Sequence, residues 1–153
     1  MKPSTALVSL GLLAALAAAA PAQAMTGCDF VDGSHESITF ALFALEAHGR
    51  GEDRTSVLAG AVAEKTDPAW HASMARETVA EVFSGLRPIE PTVYTVYRGM
   101  VCYYASEQPG TELVIDYAAI HPALAACESK PTPRAQGECG SAALDSYLRG
   151  AAK

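Results

Sequence analysis

Leu113-Val114-Ile115-Asp116-Tyr117-Ala118-Ala119-Ile120 is the stretch on which the fold class turns, because by composition it suits a helix or a strand. A strand needs a partner, since an isolated one cannot satisfy its own N–H and C=O groups. No second apolar run of strand type is available to pair with it, so residues 113–120 are expected to be helical, after the Pro109-Gly110 turn. The chain then reads as all-α, a small bundle of about five to six helices.

The flanking segments carry the same period. Pro91 begins a helix reaching about Ser106, with a double stripe of Val93/Tyr94, Val96/Tyr97, Met100/Val101 and Tyr103/Tyr104. Its remaining face, Thr95, Arg98, Gly99 and Cys102, is small enough to admit a neighbouring backbone, as a disulfide requires when its Cα atoms must come within about 6 Å. Upstream, Asp67-Pro68 reads as a cap and first-turn proline. The helix after it is expected to bury Ala72, Ala75, Val79, Val82, Phe83 and Leu86 and to end at Gly85 and Pro88. Thr55 to Lys65 form a short helix on Val57, Leu58, Ala61 and Val62. Asp32 to Ser34 offer caps for a first helix ending at Gly49. At about 100° per residue, Ile38, Leu42 and Leu45 oppose Phe40, Phe43 and Ala47, and a helix apolar on both sides belongs in the middle. After a Lys130–Gly137 loop, Ser141 to Arg149 form a last helix on Ala143, Leu144, Tyr147 and Leu148.

The first residues read as an export leader: Lys2, an apolar run from Leu7 to Ala20, and Ala22-Gln23-Ala24 as a small-x-small cleavage site. A run of about 14 residues is too short to span roughly 30 Å of hydrocarbon, and no later segment stays uncharged long enough. Cleavage after Ala24 leaves 129 of 153 residues, read as one domain with a core unit at 25–104 and an extension at 105–153. Losing Lys2 takes the net charge from −6 to −7. Scattered Lys and Arg in an acidic chain exclude nucleic acid as the expected partner. Acidity instead suits solubility, or steering toward a basic protein.

Four cysteines in an exported chain imply two disulfides, for which three pairings exist. Cys28–Cys102 with Cys127–Cys139 is favoured, because the second pair brackets a Pro-rich loop and the first ties the chain start to a late helix. Met25-Thr26-Gly27-Cys28 also resembles a lipobox, which would acylate Cys28. Against this, lipidation would strand one of the other cysteines. No Cys-x-x-Cys occurs and no histidine stands at ligand spacing from a cysteine, so no metal or cofactor is expected.

Cys28, Gly51-x-x-Arg54-x-x-Val57-Leu58, Val79-x-x-Val82-Phe83, Pro88, Pro91 and Cys102 together resemble a widespread type of small exported bacterial protein of unassigned function. The resemblance covers residues 28–102, implies a compact helical unit closed by one disulfide, and supports the Cys28–Cys102 pairing. It implies no catalytic or binding residues. In general build the chain also resembles periplasmic immunity proteins, which inhibit a secreted toxin.

Neither Gly-x-Ser-x-Gly nor a Gly-rich phosphate loop is present, and His35, His48, His71 and His121 form no zinc motif, so catalytic residues are not expected. Asp67 and His71 share a helix face as a cap and a surface histidine. His121, before Pro122, is expected at a break between elements. The sharpest functional candidate is a partner-binding face of Trp70, Met74, Glu77 and Glu81, opposite the apolar side of the third helix. The competing expectation is that the extension folds over Trp70 and Met74. A periplasmic or secreted noncovalent binding or structural protein is the resulting expectation, with a toxin inhibitor and a small hydrolase or metal-binding accessory as alternatives.

Overall fold

A computed structural model describes residues 24–25, 28–63, 69–108 and 112–151. Its elements are β1 (Ala24–Met25), α1 (Phe30–Gly49), α2 (Arg54–Ala63), α3 (Ala69–Val82), α4 (Pro91–Glu107), β2 (Leu113–Val114), α5 (Tyr117–Cys127) and α6 (Pro133–Ala151). The all-α bundle stands. The stretch that decided it is divided, however: Leu113 and Val114 are extended and pair antiparallel with Met25 and Ala24, and the helix begins only at Tyr117. The partner is two residues long, too short to register as a strand in sequence. Asp116 sets the boundary, its carboxylate accepting from Ala119 N–H at 3.3 Å as an N-cap.

Three other helix limits shift for identifiable reasons. The cap of α1 is Asp29 rather than Asp32 to Ser34, its side chain accepting from Val31 N–H at 3.0 Å. Pro122 lies inside α5, so His121 is helical and not at a break. Proline there removes one intrahelical bond but does not end the helix. Much of the expected Lys130–Gly137 loop belongs to α6, because Thr132 Oγ1 accepts from Ala135 N–H at 3.2 Å and Pro133 occupies the first helical position. The Asp67-Pro68 cap falls outside the described residues.

Small residues decide how α1 packs. Gly33, Ser37, Ala41 and Ala44 form its buried stripe against α4, and Ser37 Oγ donates to the Arg98 carbonyl at 2.9 Å. Ile38, Leu42 and Phe43 stay more than a third exposed, which corrects the expectation of a central α1. The central helix is α4, packed between α1 and α6 with Val93, Tyr94, Tyr97, Arg98, Val101, Cys102 and Ala105 buried, and α3 buries Trp70, Met74, Ala75, Thr78, Val79 and Val82. Leu86, expected in the core, is exposed beyond the end of α3. On the other side of α4, α6 approaches through Gly137 and Gly140, where an added Cβ would lie 3.1 Å from Val96 and 3.3 Å from Val93 respectively. α5 then packs on α6.

Both disulfides are present, Cys28–Cys102 with Cα atoms 5.3 Å apart and Cys127–Cys139 at 5.5 Å. Glu128, capping α5, clamps the loop before α4: Arg87 donates to both its oxygens at 3.2 and 2.7 Å, and Glu90 N–H donates at 2.7 Å. Among the described residues no helix is long and apolar enough to cross a membrane.

Candidate functional site

The expected face of Trp70, Met74, Glu77 and Glu81 is not open. Trp70 is 9% exposed and Met74 fully buried, while the carboxylates of Glu77 and Glu81 turn to the interior. Over Trp70 lies the start of α1 with the Cys28–Cys102 bridge, since a Cβ on Gly33 would touch both sulfurs and stand 3.3 Å from the Trp70 ring.

What sequence reasoning missed is the partner of those carboxylates. Arg98, placed with the small face of α4, is 1% exposed and donates to Glu81 Oε1 at 3.0 Å and Glu77 Oε2 at 3.3 Å. Tyr94 and Tyr97 donate their hydroxyls to Glu81 at 2.8 and 2.9 Å. Burial lifts the Glu77 carboxyl to about 7, the Arg98 charge pulls it back and the Glu81 charge adds to the rise. For Arg98, burial pushes down, yet the charges of Glu81 and Glu77 hold it above its ordinary value. Burial and then the Glu81 charge raise both tyrosines. Arg98 Nε and Thr78 Oγ1 have no hydrogen-bond partner among the described residues. This cluster fastens α3 to α4 through hydrogen bonds and ion pairs between buried side chains.

An accessible site lies one turn away. The first turns of α1 and α3 enclose a cleft of about 510 Å³ lined by Asp29, Val31, Asp32, His35, Glu36, Trp70 and His71. Asp29 and Asp32 stand where the α1 dipole favours negative charge. Asp32 and Glu36, a turn apart, are like charges, an arrangement that works against an isolated helix. His71 is buried and its ring packs edge-on against Trp70 at 3.8 Å between centroids, whereas His35 is exposed. Three carboxylates lining one cleft can attract an organic cation by charge. The cleft therefore unites Trp70 and His71, which the sequence singled out separately, with Asp32, read only as a cap, and with Asp29 and Glu36, which the sequence reading passed over.

A second cleft, about 730 Å³ between α5 and α6, is lined largely by alanines and by Cys127 and Cys139, and offers few polar groups. Among the described residues, no three His, Cys, Asp or Glu side chains are grouped so as to hold a metal ion. Neither a protein-family model, nor a curated protein, nor a solved structure matches this chain.

Proposed function

We propose that this is an exported binding protein, periplasmic or secreted, that acts without covalent chemistry and receives a cationic group of a basic partner in the cleft between the starts of α1 and α3. The observation that carries the reading is the meeting of Asp29, Asp32 and Glu36 with the indole of Trp70 around one 510 Å³ space. The net charge of −6 works in the same direction, since it draws basic partners and repels nucleic acid and anionic lipid. Two disulfides and the Lys2 to Ala24 leader support an oxidising destination.

The test is titration of the oxidised protein with N-acetylarginine amide, followed by calorimetry and by NMR shifts. Saturable shifts confined to Asp32, His35, Glu36 and the Trp70 indole N–H are expected, weakened several-fold in Asp32→Asn and Glu36→Gln. An acidic probe, N-acetylglutamate amide, should leave them still. Equal responses to both probes, or none to the cation, would remove the reading.

A further inference from the structure

The acidic cleft is one end of a longer surface. Val31, which lines it, begins a row with Ile38 and Leu42 that falls within about 40° of arc on α1, while Phe43 stands about 100° further round the helix from Leu42. Their exposures are 80%, 37%, 40% and 37%. These are four of the six large apolar side chains exposed among the described residues, drawn up on one helix while its small residues are spent on the interior. Contiguous apolar surface with a polar rim marks an interaction site.

The charge around the row states what it accepts. From Asp29 to Gly49 the chain carries Asp29, Asp32, Glu36 and Glu46 and no lysine or arginine; Arg50 pairs with Glu46 at 3.7 Å, so the unbalanced negative charge lies at the cleft end of the row. A second copy would bring the same negative rim against this one, and an anionic bilayer would be repelled. An amphipathic helix whose apolar side is edged with Lys and Arg meets both features at once, its leucines on Ile38 and Leu42 and a basic side chain in the cleft. We infer that the solvent face of α1 docks a basic amphipathic helix of a partner protein, an inference that rests on the cleft being a cation site.

The experiment uses the full oxidised chain and three labelled synthetic peptides of 18 residues: one with leucines at helical spacing flanked by lysine and arginine, one of identical composition with the spacing scrambled, and one with glutamate in place of the basic residues. Fluorescence anisotropy should detect only the first, with affinity falling as salt rises. Leu42→Asp should weaken it by at least about tenfold. Glu46→Lys, which replaces the exposed carboxylate paired with Arg50 by a second cation, should weaken it several-fold at low salt, and thermal melts of both variants check that the fold is intact. Equal binding of the scrambled peptide, or no effect of Leu42→Asp, overturns the docking face. N-acetylarginine amide binding without the helical peptide overturns it too and leaves the cleft reading in place. Failure of both removes the two together. Concentration-dependent self-association lost in Leu42→Asp, or adsorption to vesicles, would assign the face to another occupant and overturn the inference.

Discussion

Gly33 and Gly99 face similar backbones with opposite consequences for a methyl group. A Cβ at Gly33 would collide with Cys28 Sγ and lie 2.9 Å from Cys102 Sγ, closer than real Cβ contacts, and a crosslinked sulfur cannot swing aside as a flexible chain end does. At Gly99 the nearest atoms are those of Ile38 at 3.9 Å, an ordinary contact. Gly33→Ala is therefore expected to lose about 1–3 kcal/mol through overpacking. Gly99→Ala should gain about 0.5–1 kcal/mol from helix propensity. Urea unfolding of the two variants checks the pair, and a Gly33→Ala protein as stable as wild type would contradict the packing described. Position 33 was legible only as part of a cap. The small stripe of Gly33, Ser37, Ala41 and Ala44 has helical spacing, but its larger neighbours Ile38, Leu42 and Phe43 carry a stronger apolar signal. Which side of α1 turns inward is decided by how closely α4 must approach, and that is a tertiary property.

Among the elements, α3 and α4 are coupled through charges rather than only apolar contact. The folded state keeps a proton on Glu77 up to a pH of about 7, whereas the unfolded chain releases it near 4.5. Between those values the native state binds more protons, so this group's contribution to stability declines as pH rises and is level above the window. The full change is about 3 kcal/mol. Urea unfolding from pH 4.5 to 8 should show that decline in wild type relative to Glu77→Gln, which keeps the Glu81–Arg98 pair. Parallel pH profiles would refute the assignment. Losing the cation is more severe: Arg98→Met leaves Glu81 buried without its partner and is expected to cost about 3–5 kcal/mol, measured in the same way. None of this was visible in the period of α4, where Arg98 fell beside Gly99 and Cys102, because its acceptors stand 17 and 21 residues away. Helix existence was legible throughout. The start of α6 was misplaced although Thr132-Pro133 is an ordinary cap and first-turn proline, since the prolines at 131 and 133 together read as loop.

For the whole molecule, parity of the cysteines and their placement made both crosslinks legible, and the structure has them. Their separations of 74 and 12 residues correspond, in the chain-entropy description, to roughly 4 and 3 kcal/mol. Cys28→Ser with Cys102→Ser should therefore lower unfolding free energy more than Cys127→Ser with Cys139→Ser, as denaturant titration can compare. An inverted order would mean that the longer loop is already constrained without its bond. The acidic cleft was less legible, because its members come from residues 29–36 and 70–71 and meet only when the first crosslink draws the start of α1 toward α4. That same closure sets the chain's one tryptophan beside a sulfur–sulfur bond. Such a bond accepts an electron from an excited indole, so the native protein's tryptophan emission, excited at the red edge where tyrosine does not absorb, should be quenched and should brighten when reductant opens the bridge, giving its oxidation state an intrinsic lamp.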